Sequence, residues 1–191
     1  MNQLISLHNR LFSAVEHHAS DLLPLLARLV FAATLLGYFW ASARTKLGDG
    51  PFGFLSPSSG AYAQIWPRQF EAVSYDVSQL GPLHWAVAVA GTWAEFILPF
   101  LIVAGLATRL SALGMLGFIA VQTLTDLYGH GAIGQPETLG AWLDRHPDSP
   151  ILDQRLFWAF LLVTLTIRGA GALSADRALA AWWPRATPRP A

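Results

Sequence analysis

Two oppositely charged side chains stand inside the most apolar stretches of this chain. Glu95 interrupts TWAEFILPFLIVAG, residues 92–105, and Arg28 interrupts LLPLLARLVFAATLLG, residues 22–37. An ionised group in the middle of an apolar membrane helix costs roughly 2.5–3.5 kcal/mol on insertion scales, so it turns inward to a partner. Counted from the expected cytoplasmic ends of their segments, Arg28 lies six and Glu95 ten residues deep, about 9 and 15 Å along a helix. A guanidinium can span that difference and hold the carboxylate ionised through a bidentate bond. The expectation is therefore an Arg28–Glu95 pair. Such a pair either fixes helix register, adding little net stability, or forms the reacting centre of a polar pocket between helices. That pocket would take an amphipathic ligand such as a quinone headgroup, or pass protons. Tyr38, Thr34, Thr92 and Gln122 are the residues expected to line it.

A second pair is expected where the third and fourth apolar segments meet. Asp126 closes one and Arg155 opens the other, and Gln122 lies one helical turn from Asp126. Both charges could equally reach the wet headgroup layer. None of the six histidines stands in the middle of an apolar segment, so a haem held by two imidazoles inside a bundle has no ligands. His84, His130 and His146 gather on one side with Asp126, Asp144 and Asp148, but without a tight ligand motif, so they are weak metal candidates and no metal is expected.

The elements that must position these groups are four apolar segments, residues 22–43, 83–105, 108–128 and 151–172, each near the 20 or so residues that span a bilayer. Backbone groups in hydrocarbon must bond internally. The expected fold is thus all-α, an integral-membrane four-helix bundle in a single domain over residues 1–180, with a tail at 181–191. Pro24 suits a first helical turn, and Pro99 falls inside the second helix. Leu4, Leu7, Leu11 and Val15 recur at helical spacing and predict a short interfacial helix. Phe70, Val73, Val77 and Leu80, after Pro67, predict another. The connection over residues 129–150 predicts a short helix around PETLGAWLDR.

Lys and Arg near the segment ends set the orientation. Arg10, Arg109, Arg168, Arg177, Arg185 and Arg189 fall on one side, against Arg44, Lys46, Arg68 and Arg145 in longer loops. Both termini are therefore expected in the cytoplasm. Trp66, Trp85, Trp142, Trp182 and Trp183 lie near segment boundaries as interfacial anchors.

Composition agrees. The 191 residues are 53% hydrophobic and 13% charged, with mean hydropathy +0.41, which favours the membrane class. Zero net charge with scattered basic residues excludes a nucleic-acid footprint. The absence of cysteine excludes disulfides, thiolate metal sites and iron–sulfur clusters, so a redox role would need a borrowed electron carrier. No leader pattern is visible, and the mature chain is expected to begin near Met1.

The run E95-F-I-L-P99-F-L-I-V-A-G105-L-A-T108-R109-L110 resembles the signature of the DoxX family of small membrane proteins. Arg28 and Gly37 in the first segment with Lys46 past its end, and R168-G-A-G-A-L-S-A-D176 at the end of the last, are similar to the same pattern, so the resemblance covers about residues 25–180. The chain departs from shorter members in its long first loop and in GHGAIGQPETLGAWLDRHPDSP. The resemblance implies a multi-pass protein of the bacterial inner membrane. It also implies a role beside redox enzymes, as in a thiosulfate:quinone oxidoreductase-like complex.

Two functions remain. The first is a redox-associated subunit whose Arg28/Glu95 pocket meets quinone, with no intrinsic cofactor and with Glu95 as general acid or base. The second is a non-catalytic anchor, assembly factor or carrier. Its outer loops, through Trp142, His130 and the helix after Pro67, would dock a soluble or periplasmic partner. Transport by a monomer is disfavoured because no transporter-type repeat is visible. A homo-oligomer would be needed to change that.

Overall fold

The computed structural model describes residues 2–182; Trp183, Arg185, Arg189 and most of the expected tail 181–191 lie outside them. All regular structure among the described residues is helical. The N-terminal amphipathic segment and the first apolar segment are one rod, not two elements. Helix α1 (Asn2–Phe31) runs through a π-helical turn (Ala32–Leu36) into α2 (Gly37–Lys46). No glycine precedes Gly37, so nothing ends the helix between the two segments. Pro24 lies in the helix interior instead of its first turn and is fully buried. A proline there removes one backbone bond without stopping the helix. A π turn inserts one residue beyond the α-helical repeat and so rotates the downstream helix by about 100°.

Helix α5 (Pro82–Ala104) starts with proline at its first position and ends at Gly105, whose φ of 70° is left-handed. Helix α6 (Thr108–Leu124) comes after one short turn and closes in a second π turn (Thr125–Gly129). Helix α8 (Gln154–Arg168) packs on α6 and α1. Phe31, Leu35, Phe39, Ile102, Met115, Leu162 and Leu165 meet as the core. Three stretches are long and apolar enough to cross a membrane: Ala19–Lys46, Pro82–Ala104 and Thr108–Gly129. The expected fourth span, 151–172, is shorter in the structure, because residues 150–153 form turns and Arg168 ends the helix. The 15 residues of α8 reach about 22 Å.

At the end of the bundle with the short α5–α6 turn, the chain is clamped from two directions. The Asp176 carboxylate accepts the N–H groups of Ala107 at 2.6 Å and Thr108 at 3.0 Å, and its own N–H donates to the Gly105 carbonyl at 2.8 Å. It thereby supplies the α6 cap that Ala107, at the N-cap position, cannot. Asp176→Ala is expected to cost about 1–2 kcal/mol. Thermal unfolding of the purified protein should show it as a Tm several degrees lower, with Asp176→Asn losing less because it keeps one acceptor.

At the opposite, long-loop end, α3 (Ser59–Ile65) packs on α5, and α4 (Pro67–Ala72) packs on α3. The helix expected after Pro67 is broken by Ser74 and Tyr75, at φ 53° and 61°. Phe70, Val73, Val77 and Leu80 still converge, on Tyr62 and Ala88, so the apolar set is right and the single helix is not. Burial raises the Tyr62 hydroxyl pKa. Hydrogen bonds from Gln79 and Ser78 lower that of Asp76, which caps a 3-10 turn at Val77–Gln79. In the last connection, α7 is limited to Pro136–Leu139 by Gly140 at φ 78°. It is shorter than the PETLGAWLDR helix expected there.

Candidate functional site

The expected Arg28–Glu95 pair does not form. Glu95, buried on α5, faces α2, where Lys46 Nζ donates to both its oxygens at 2.9 and 3.1 Å. Lys46 also donates to Ser42 Oγ at 2.6 Å, and the Ser42 hydroxyl donates to Glu95 Oε1 at 3.1 Å. Ser42 and Lys46 are four apart and so share a face of α2. The lysine stem lies along that face and carries its charge inward to the carboxylate.

Arg28 serves the other end of the bundle. Its Nε donates to the Ile102 carbonyl at 3.0 Å, Nη2 to Val103 at 2.6 Å, and Nη1 to Ala170 at 3.0 Å and Leu173 at 2.5 Å. The last carbonyls of a helix have no partner within it. The guanidinium answers those of α5 and binds them to the segment after α8. These acceptors are backbone atoms, and they capture Arg28 before it could reach Glu95. Arg28 is not among the residues lining the cavity beside Glu95, so the expected pairing of the two is corrected.

Beside the Lys46–Ser42–Glu95 triad lies a cavity of about 510 Å³. Tyr38, Ser42 and Lys46 form the α2 wall at one-turn spacing, downstream of the first π turn. Small residues, Ala90, Gly91 and Ala94 on α5 and Gly117 on α6, leave the space open. Gln122 and Asp126 line the α6 wall next to the second π turn, and Gln64 and His130 sit over the long-loop end. Gln122 Nε2 donates to the Tyr38 hydroxyl at 3.2 Å, whereas its buried Oε1 has no hydrogen-bond partner among the described residues. Asp126 accepts from Arg155 Nη2, and Arg155 Nη1 donates to Thr123 Oγ1 at 2.8 Å. This second pair joins α6 to α8, with Asp126 on the cavity wall. His130 Nε2 pairs with the Gln64 carbonyl at 3.0 Å.

Two expected lining residues are elsewhere. The hydroxyls of Thr34 and Thr92 bond the carbonyls four residues back, Val30 at 2.7 Å and Ala88 at 2.8 Å, and neither faces the cavity. Threonine in a helix satisfies itself in this way. His84 packs against the Trp66 ring and His146 sits beside Arg145, so neither joins His130. Among the described residues no three His, Asp or Glu side chains gather as a metal site. Ser42 and Lys46 are the site residues that sequence reasoning missed. Their signal was the Tyr38–Ser42–Lys46 spacing, readable only by carrying the first helix past residue 43.

Chemically, the triad keeps the buried charge near zero. The Lys46 donors are occupied by Ser42 and Glu95. The groups left for a ligand are the Gln122 oxygen and the Tyr38 hydroxyl; Asp126, paired with Arg155, and His130, paired with the Gln64 carbonyl, lie beside them on an otherwise largely apolar wall. Three apolar helices around such a cavity define a multi-pass α-helical membrane protein. The chain belongs to the DoxX family, whose family model matches residues 23–126, just over half its length. No curated protein and no solved structure matches it.

Proposed function

We propose that the chain is an inner-membrane subunit of a redox-associated assembly and that its cavity takes the headgroup of a quinone. In this reading α8 with its flanking turns crosses as a fourth span, and both termini are cytoplasmic. The observation that carries the reading is the cavity of about 510 Å³ between membrane-spanning helices, with a neutralised ion pair on one wall and an unpartnered buried amide oxygen on another. Its size falls in the range of small-ligand pockets, roughly 300–1,000 Å³. Ala90, Gly117 and Val121 line it and are also exposed on the outer face of the bundle. A lipid-soluble ligand can thus reach it sideways between α5 and α6. The Tyr38 hydroxyl can donate to a ring carbonyl, whereas the Gln122 oxygen accepts, and so takes a ring hydroxyl such as a quinol offers.

A quinone supplies two-electron, two-proton chemistry when bound. The chain's own residues orient it at Tyr38 and Gln122. Lys46 holds Glu95 in place and moderates it as an acid or base. The chain has no cysteine and no paired imidazoles at its core, so electrons come from a partner subunit.

Lipids extracted from the purified protein test this directly. Chromatography should find about one quinone per chain, and Gly117→Leu, which fills the cavity, should remove it. A parent protein without quinone that co-purifies with a soluble partner would favour the anchor reading.

A further inference from the structure

We propose that Phe52, Phe54 and Leu55, in the loop of residues 48–56 between α2 and α3, insert into the outer leaflet of the bilayer as an aromatic anchor, with Asp49 at the headgroups. The loop opens and closes at one point, where Ser58 N–H donates to the Lys46 carbonyl at 3.0 Å and Leu47 bridges Pro57. Its apolar side chains are bare: Phe52 is 71% exposed, and Phe54 and Leu55 are exposed beside it. They lie along α5, not above it. The Trp85 indole donates to the Leu55 carbonyl at 2.8 Å, and the Trp93 indole to the Phe54 carbonyl at 3.1 Å. Trp93 is eleven residues from Pro82, about 17 Å along the helix, and Trp85 about 5 Å. The loop is therefore level with the outer half of a membrane-crossing helix and continuous with its lipid-facing surface.

The backbone closes on itself in part, and its remaining N–H groups, those of Asp49, Gly50, Phe52, Phe54 and Ser56, suit the polar headgroup level and not the hydrocarbon. In hydrocarbon a free N–H or C=O costs several kcal/mol, so irregular chain there must satisfy itself. Gly48 N–H donates to the Gly53 carbonyl and Gly53 N–H to the Gly50 carbonyl, each at 3.1 Å, and Leu55 N–H donates to Phe52 at 2.9 Å. A Cβ at Gly53 would meet the Gly48 backbone, so the glycines allow this closure. Two exposed carbonyls capped by indoles would gain little in water, which could bond them itself. At the headgroup boundary the same indoles and phenyl rings are favoured. The proposal rests on the membrane-spanning reading and not on what the cavity binds.

The chain has no cysteine, so Phe52→Cys carries a single environment-sensitive fluorophore in the full-length protein, in phosphatidylcholine vesicles. Asp144→Cys, exposed in the other long loop, is the aqueous comparison. The label at 52 should be quenched several-fold more by lipids carrying a nitroxide near the headgroup, and several-fold less by iodide. Equal quenching of the two labels by iodide overturns the proposal. So does protection from iodide without quenching by the nitroxide lipid, since a protein surface would then cover the loop. Should Phe52→Cys fail to give monodisperse protein, Leu55→Cys carries the same readout.

Discussion

Arg28→Met is expected to leave almost no folded protein in the membrane fraction, and Arg28→Lys little more, because the guanidinium bonds four carbonyls from two separate segments. An ammonium has three donors on a single centre and cannot span the α5 end and the Ala170–Leu173 turn together. Each buried acceptor left without a partner costs about 1–3 kcal/mol. Losing several approaches the whole stability of a small domain, about 5–15 kcal/mol. Yield on size-exclusion chromatography in detergent measures the effect. If Arg28 served only the cavity, the variant would be monodisperse at parental yield and lose ligand alone.

Lys46→Met is expected to destabilise by about 3–5 kcal/mol, since it leaves the Glu95 carboxylate buried and unpaired. Glu95→Gln strands the ammonium in the same way, although the amide still reaches Ser42. The double variant Lys46→Met/Glu95→Gln should recover most of the lost Tm, since replacing both charges of a buried pair is often close to neutral. It should still lose retained quinone if the triad orients the ligand. Thermal unfolding of the four proteins as a double-mutant cycle, with quinone content measured on each, separates the two roles. Additive losses in Tm would show that the two charges do not depend on one another. Parental quinone content in the double variant would remove the triad from the ligand's surroundings.

The helices were readable where apolar length and turn residues agree. Pro82 and Gly105 bracket α5 as helix-start and helix-stop chemistry dictates, and Thr108 opens α6. Asp126 and Arg155 meet because antiparallel neighbours bring the ends of consecutive segments to one depth. The partners of Arg28 were not readable, since they are carbonyls, which every residue type carries. Lys46 was hidden differently. Its charge placed it in a loop by hydropathy, yet the helix continues to residue 46 and the side chain folds back into the apolar layer. Tyr38 and Gln122 reach the cavity while Thr34 and Thr92 do not. The π turn before α2 decides which of its faces looks inward, and such a turn has no clear signature in residue type.

The family match ends at Asp126, yet Asp176 caps the start of α6, and Arg28 ties the end of α5 to the carbonyls of Ala170 and Leu173. During synthesis the α5–α6 turn must therefore wait, unsealed, until residues 170–176 have left the ribosome. Quality control that senses the unsealed turn would judge the chain by the segment after α8, and a stop before residue 170 would discard all that precedes it.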